Sequence, residues 1–265
     1  DTAMLSETLS GTTDTLTAAA AKTVAGFTAQ SFQQKNIAGD GSTVVDIYYN
    51  RNSYTVTYAV TGTVDPNPNY KQADYRFGQN VAAEAAAAKA GYDFIGWANE
   101  PAVMPANDVT ATGYFVARTD TAYQVQHYKQ NLEDDGYTLA ETENLTGETD
   151  TTATANPKTY TGFAFDGTAE GTVASGNIAG DGSLVLKLYY TRNSYDVTYA
   201  YTGTVPTGAS ALPEKATVKY GAPVTVAEAA TAPGYTFSGW SRNDFTMPAE
   251  NVTITGSFTA NSNTE

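Results

Sequence analysis

The chain has 265 residues, with 14 lysines and arginines against 28 acidic residues, one histidine and no cysteine. The net charge of −14 disfavours binding to nucleic acid or to an anionic membrane, and the lack of cysteine excludes disulfides, thiolate nucleophiles and thiolate metal sites. No apolar run is long enough to span a membrane. No secretion signal precedes Asp1, as we expect of a mature form or an excised fragment.

An internal duplication organises the sequence. Residues 36–49 (NIAGDGSTVVDIYY) recur as residues 177–190 (NIAGDGSLVLKLYY), and GYDFIGW at 91–97 recurs as GYTFSGW at 234–240. Each copy divides into two modules, A and B. The predicted domains are a first module A at 1–52, a first module B at 53–118, a second module A at 119–193, a second module B at 194–260, and a tail at 261–265. Nothing in the first module A corresponds to residues 121–141, so we interpret it as truncated at its N-terminal end.

Module A is predicted to be mainly strand. In its second copy, residues 123–128 alternate apolar and polar side chains, residues 133–136 form a turn, and residues 183–190 alternate again. In the first copy, Val45, Ile47 and Tyr49 keep the apolar face of the last strand. A Gly-Asp-Gly triplet before that strand, at 39–41 and 180–182, predicts a tight turn with positive φ.

Module B is predicted to open with a strand, at 54–58 in the first copy, and to close with another strand, at 252–258 in the second copy. The alanine-rich segment 81–90 favours at most two turns of helix, because its counterpart in the second copy resembles a strand. The aromatic residues and methionines that recur in both copies are predicted to form the core, namely Tyr92, Phe94, Trp97, Met104, Tyr235, Phe237, Trp240 and Met247.

The connections between modules are short. Four residues, 50–53, link the last strand of module A to the first strand of module B, and none of them is glycine or proline. Flexible linkers are longer and rich in glycine and serine. The sequence therefore predicts an elongated, stiff array of small domains.

Few residues point to chemistry. His127 has no motif-related nucleophile and is expected to be a surface or half-buried strand residue. Asp40 and Asp181 stand alone in their Gly-Asp-Gly triplets, which favours a turn over a Ca²⁺ site, so we predict no metal, no cofactor and no catalytic residue. Lys22 and Lys158 recur and leave open an intramolecular isopeptide bond, although a surface role is favoured. Tyr48 and Tyr189, on the wetter strand face, are the tyrosines predicted to be exposed and available for ligand binding.

These motifs resemble cell-surface repeats of Gram-positive bacteria. Module B, with Gly-Tyr-x-Phe-x-Gly-Trp and Met-Pro-Ala-x-x-Val-Thr, resembles the Listeria–Bacteroides (internalin B-type) repeat and the streptococcal high-identity tandem repeats (SHIRT domains). Module A, with Tyr-x-Val-x-x-Tyr and a closing Tyr-Tyr-x-Arg-Asn, resembles mucin-binding-protein-like (MucBP) repeats. The resemblance implies a β-rich α+β fold class, with small β-grasp-like domains in a tandem, elongated array. It also implies a secreted adhesin that is attached to the cell wall in the parent protein.

We therefore expect a non-enzymatic extracellular segment of a bacterial surface adhesin that acts as a semi-rigid stalk or adhesion region. The alternative is a carbohydrate- or mucin-binding module that uses exposed tyrosines. The partner expected is a host glycoprotein or mucin, or another surface protein. Because the first module A lacks an opening strand, we also expect strand-mediated association at the N-terminal end.

Overall fold

The computed structural model describes residues 5–60 and 71–262. It divides into two compact units, Asp1–Val116 and Ala117–Glu265, and each unit contains a module A followed by a module B. Every regular element in the described residues is a β-strand. The prediction of an α+β class was therefore wrong in its helical part, and the β-grasp assignment stays a prediction.

In the first unit, the first module A contains a two-stranded antiparallel sheet of β1 (Phe27–Ala29) and β2 (Tyr49–Arg51). The first module B contains a four-stranded sheet. Its strands are β3 (Ser53–Val60), β4 (Gln72–Arg76), β5 (Tyr92–Ala98) and β6 (Val109–Ala117), in the order β4-β3-β6-β5. The central pair β3 and β6 is parallel, and Val56 lies opposite Val109. Val56 and Tyr58 point into the core because successive side chains alternate between the two faces of a strand.

In the second unit, the second module A has a larger sheet than the first. Its main sheet contains β7 (Thr121–Gln130), β8 (Tyr137–Gly147), β10 (Phe163–Phe165) and β12 (Val185–Arg192), in the order β10-β12-β7-β8. The strands β9 (Thr152–Thr154) and β11 (Ser175–Asn177) form a separate antiparallel pair. The central pair β7 and β12 is parallel, and it carries a core of Val125, Leu186, Leu188 and Tyr190.

The second module B repeats the central parallel pair of the first. Its strands are β13 (Ser194–Tyr201), β14 (Ala216–Lys219), β15 (Pro223–Val224), β16 (Tyr235–Phe237), β17 (Phe245–Thr246), β18 (Val252–Gly256) and β19 (Phe258–Ala260). The sheets are β14-β13-β18, β15-β17 and β16-β19. Val197 lies opposite Val252 in the parallel pair β13 and β18, which is the register that Val56 and Val109 have in the first module B.

The alanine-rich segment 81–90 is not helical. Its backbone is held by contacts with distant residues: Val81 N–H donates to the carbonyl of Ala102 at 3.1 Å, and Trp97 Nε1 donates to the carbonyl of Ala85, also at 3.1 Å. A helix of this length would be marginal in water, since isolated helices shorter than about 12–15 residues rarely form. Tertiary hydrogen bonds therefore override the helical propensity of alanine. Within the described ranges we also find no helix that could cross a membrane.

Candidate functional site

The joint between module A and module B is built in the same way in both units. In the first unit, Asn52 N–H donates to the carbonyl of Gly26 at 2.9 Å, and the carbonyl of Asn52 accepts from Phe77 N–H at 2.9 Å. In the second unit, Asn193 bonds in the same way to Gly162 and Tyr220, at 2.9 and 2.8 Å. One asparagine thus hydrogen-bonds to both modules through its main chain.

An aromatic contact closes each joint. Phe27 of module A meets Phe77 of module B edge to face, with ring centroids 5.5 Å apart and planes at 77°. Phe163 and Tyr220 make the same contact at 5.8 Å and 76°. Pairs of this geometry contribute about 0.5–1.5 kcal/mol beyond the apolar area that they bury.

The glycine at each joint is required for two independent reasons. Gly26 and Gly162 have φ values of +81° and +78°, a region that other residues rarely adopt. A Cβ atom at either position would also overlap the ring of Phe77 or Tyr220. The recurring Gly-Phe dipeptide of module A is therefore explained by the joint.

The arginine of each Tyr-Tyr-x-Arg-Asn motif crosses the joint as well. Arg51 Nη1 donates to the carbonyl of Phe77 at 3.1 Å, and Arg192 Nη1 donates to the carbonyl of Tyr220 at 2.5 Å. Arg192 also donates from Nε to the carbonyl of Gln130 and lies over the ring of Phe163. Sequence reasoning noted the Arg-Asn dipeptide as part of a resemblance but assigned it no structural role.

The two tyrosines predicted to bind ligands differ in exposure. Tyr48 is 56% exposed, whereas Tyr189 is half-buried. Tyr189 stacks on Tyr128 of β7 at 4.9 Å, with 16° between the planes, and meets Tyr137 of β8 edge to face at 5.0 Å. Burial, with the nearby charges of Asp166 and Asp135, raises the pKa of Tyr137. These three residues, Tyr128, Tyr137 and Tyr189, form an outer tyrosine cluster on the second module A.

The predicted core residues of module B lie at several depths. Met104 and Met247 are buried, each with 1% exposure, and Trp97 and Trp240 are half-buried beneath the 81–90 segment and its counterpart. Each indole N–H donates to a carbonyl of that segment, Ala85 at 3.1 Å or Glu228 at 2.9 Å. Of the remaining aromatic residues, Tyr235 is 40% exposed, and the half-buried ones are Tyr92, Phe94 and Phe237.

His127 differs from the expectation of a surface or half-buried residue, since it is fully buried in β7. Its Nδ1 lies 3.0 Å from the hydroxyl of Tyr190, and its Nε2 lies 2.7 Å from Glu143 Oε1. The Tyr190 hydroxyl already accepts from Lys158 N–H at 2.9 Å, so its own proton is free to go to Nδ1. An Nε2–H tautomer then satisfies every group in this network.

Lys158 completes the same network at the surface. Its Nζ lies 2.5 Å from Glu141 and 3.0 Å from Glu143, and these hydrogen bonds raise the pKa of the lysine. The hydrogen bonds from His127 and Lys158 lower the pKa of Glu143. Both carboxylate partners of Lys158 are glutamates. Sequence reasoning missed this network, although Glu7, Lys22 and Tyr49 recur as Glu143, Lys158 and Tyr190 and would have indicated it.

The Gly-Asp-Gly triplets are turns that their own side chains close. Asp40 Oδ1 accepts from the backbone N–H and the hydroxyl of Ser42, and Asp181 Oδ1 accepts from Ser183 N–H at 3.0 Å. These hydrogen bonds lower the pKa of both aspartates. Among residues 5–60 and 71–262, no three acidic or histidine side chains converge as metal ligands.

The paired modules and their repeated joints define a tandem-repeat protein, and comparison with known families agrees. The Listeria-Bacteroides repeat domain matches residues 54–121 and 195–264, just over half of the chain. The chain therefore belongs to this family and carries two copies of its domain, as module B predicted. The MucBP-like interpretation of module A stays a prediction.

The chain is also similar to two solved structures of bacterial proteins. One contains streptococcal SHIRT domains 3–4 from a cell surface protein, with 16% identity and a TM-score of 0.23, covering 52% of this chain and 96% of that one. The other is the Bacillus anthracis TIE protein, with 9% identity and a TM-score of 0.33, covering 88% of this chain and 58% of that one. This chain thus spans little more than half of the TIE structure. No curated protein matches the sequence.

Proposed function

We propose that the chain is a non-enzymatic segment of a bacterial cell-surface protein, in which joined A–B pairs act as a semi-rigid stalk. The observation that carries this proposal is the A–B joint, which recurs in the two units with the same asparagine main-chain hydrogen bonds and the same aromatic contact. A joint that uses the same main-chain and aromatic contacts in both units is suited to hold module A and module B at a fixed angle, which a projecting stalk requires. The extracellular, wall-attached location rests on membership of the repeat family and on the resemblance of both modules to surface repeats.

The stiffness of the joint can be measured directly, because the chain has no cysteine and accepts two unique spin labels. Thr146→Cys and Thr225→Cys place one label on each module of the second unit, at exposed positions. We expect double electron–electron resonance spectroscopy to give a narrow distribution of distances between the two labels. Tyr220→Ala should broaden it, because this change removes the aromatic contact with Phe163.

Tyr235→Ala is the matched control, because this tyrosine is exposed and its ring contacts do not include the joint. It should leave the distance distribution narrow. A broad distribution in the unmodified chain, or equal broadening by both variants, would remove the basis of the stalk proposal.

A second proposal is adhesion to a host glycoprotein or mucin through the outer tyrosine cluster. The supporting observation is the packing of Tyr128, Tyr137 and Tyr189 against one another, since partly exposed aromatic rings are suited to stacking on sugars. A glycan array with the purified chain tests this proposal. Binding that Tyr137→Ala or Tyr189→Ala abolishes and Tyr235→Ala retains would support a binding role, whereas an array without specific binding would leave the stalk as the sole function proposed.

A further inference from the structure

The last strand of module A has different neighbours in the two copies. In the second module A, Leu186, Leu188 and Tyr190 on β12 are fully buried, in a core that includes Val125 of the adjacent strand β7. The equivalent residues of the first module A, Val45, Ile47 and Tyr49, are only half-buried. Of that segment, only Tyr49–Arg51 is paired in a sheet, as β2 with β1.

The first module A nevertheless contains a segment equivalent to β8, the strand that borders β7 on its other side in the second module A. Residues 5–11 (LSETLSG) correspond to residues 141–147 (ETENLTG), the second half of β8. Glu7 forms an ion pair with Lys22 at 2.8 Å, as Glu143 does with Lys158 at 3.0 Å. Segment 5–11 therefore occupies the position of β8.

Two further contacts are shared by the copies and fix the alignment. Gly11 lies against the side chain of Ile37, as Gly147 lies against Ile178. The hydroxyl of Tyr49 accepts from the N–H of Lys22 at 2.8 Å, as Tyr190 does from Lys158. The first module A thus has both flanks of a three-stranded arrangement.

What the first module A lacks, within described residues 5–60, is a strand between these flanks. We call the position between residues 5–11 and residues 44–48 the strand slot. No backbone hydrogen bond in this described part of the chain joins its two sides. Large apolar side chains along it are open to solvent: Leu9 is 61% exposed, Val44 60% and Tyr48 56%. Of their counterparts in the second module A, Leu145 lies opposite Tyr123 of β7 and is less exposed, at 39%, and Tyr189 stacks on Tyr128 of β7.

We propose that the strand slot binds one β-strand of the β7 type, parallel to residues 44–48 and antiparallel to residues 5–11. Its inward side chains would take the places of Val125 and His127, which are fully or almost fully buried in β7. Such a strand satisfies the unpaired backbone groups of both flanks and covers the apolar face of Val45 and Ile47. The pairing is strand addition to an open sheet edge, here at two edges together.

The duplication also indicates the source of the strand. In the second module A, β7 is joined to β8 by a hairpin at residues 131–136, so the filling strand immediately precedes the β8 segment. We therefore assign the occupant to polypeptide directly upstream of residue 5. A second copy of this chain is a poorer donor, because its β7 is already paired along its length with β8 and in part with β12.

Grafting tests this assignment in the full chain. Residues 119–140 placed directly before Leu5 continue in register, since Leu5 corresponds to Glu141. We expect the graft to slow amide hydrogen exchange at Val45 and Ile47 at least about tenfold, because those amides become part of a sheet. The matched control is the same graft with Val125→Asp, which would have to bury a carboxylate and should leave exchange at the rate of the ungrafted chain.

Equal exchange rates in both grafted chains and the ungrafted chain would overturn the strand slot. If the graft prevents folding, a peptide of residues 119–131 is added to the ungrafted chain instead. Binding of this peptide, without binding of its Val125→Asp variant, would support the strand slot. If neither peptide binds, the strand slot is overturned. Sedimentation then tests the source. If the ungrafted chain is a dimer and the grafted chain is a monomer, the occupant is a strand of a second copy, and the upstream source is overturned. A monomeric ungrafted chain agrees with the upstream source.

Discussion

The ring of Tyr220 in module B lies directly against the α-carbon of Gly162 in module A, and no side chain would fit between them. Phe77 and Gly26 have the same relationship in the first unit. In both units the aromatic residue lies in the turn that follows the second strand of module B, immediately before a glycine. The contact therefore connects two motifs that are far apart in sequence. Side-chain shape therefore contributes to the geometry of the joint, together with the main-chain hydrogen bonds of Asn52 and Asn193.

Gly162→Ala should destabilise the second unit by about 2–4 kcal/mol, because it adds backbone strain to a steric clash. The control is Gly203→Ala, which has a similar φ of +75° but no atom within 4 Å of the added methyl group. That variant should cost only about 1–2 kcal/mol, the backbone part alone. Chemical denaturation compares the two variants, and equal losses would show that the ring of Tyr220 moves aside without cost.

Tyr190→Phe should destabilise the second module A by about 1–3 kcal/mol, because it leaves the buried Nδ1 of His127 and the half-buried backbone N–H of Lys158 without their partner. Tyr49→Phe removes the equivalent hydroxyl from the first module A. Tyr49 is only half-buried, so water can replace the hydroxyl and the loss should be smaller. Denaturation monitored by amide exchange in each module measures both values. A larger loss for Tyr49→Phe would contradict the assigned difference in burial.

The duplication and the strands at 54–58, 123–128 and 183–190 were predictable because they depend on local alternation and on direct comparison of the two copies. The last strand predicted for the first module A was wrong over residues 44–48, because alternation alone does not supply a neighbouring strand, and only Tyr49–Arg51 is paired. The Gly-Asp-Gly turns were equally local, since Asp40 and Asp181 close them through hydrogen bonds two residues away. The burial of His127 was not predictable from its strand, because its partners come from distant positions along the chain.

The remaining differences have the same origin. Tyr189 was expected to be exposed because its strand face is wet, but Tyr128 and Tyr137 from neighbouring strands cover part of it. The alanine-rich segment was expected to include helix, but the indole of Trp97 binds one of its carbonyls and holds it in an irregular conformation. In each case a tertiary contact decided the outcome against a local preference.

Acid should weaken the second module A through Glu141 and Glu143. Hydrogen bonds from Lys158 and Tyr160 lower the pKa of Glu141, and hydrogen bonds from His127 and Lys158 lower the pKa of Glu143, in both cases below the ordinary value of 4.5. A lowered pKa in the folded state means that the stabilisation is present above pH 4.5 and is lost as the pH falls through the folded-state pKa. The protection factors of the amides in β7 and β12, which correct for the slower intrinsic exchange in acid, should therefore fall below about pH 4.5.

Glu143→Gln tests the origin of this acid sensitivity. The amide keeps a hydrogen-bond acceptor for His127 but cannot titrate, so the change in local stability between pH 6 and pH 3.5 should shrink. Glu170→Gln, at an exposed turn of the same module, is the control for net charge and should leave the profile unchanged. If the two variants have the same pH profile as the unmodified chain, the acid response arises elsewhere.

Trp240 should be essential to the second module B although it is only half-buried. Its indole contacts Tyr199 at 4.9 Å and Phe237 at 4.9 Å, and its N–H holds the 224–232 segment through the carbonyl of Glu228. Trp240→Ala should cost about 3–5 kcal/mol, which is enough to unfold a domain of this size. Trp240→Phe keeps most of the ring contacts but loses the hydrogen bond, so we expect a cost of about 1 kcal/mol and a folded module.

Because the chain has only two tryptophans, the Trp97→Phe background isolates the fluorescence of Trp240. Iodide should quench that fluorescence only partly in the native chain and more strongly after unfolding. Quenching that is equally strong in both states would mean that the indole does not pack on the sheet, and that the Gly-Tyr-x-Phe-x-Gly-Trp motif serves some purpose other than the core.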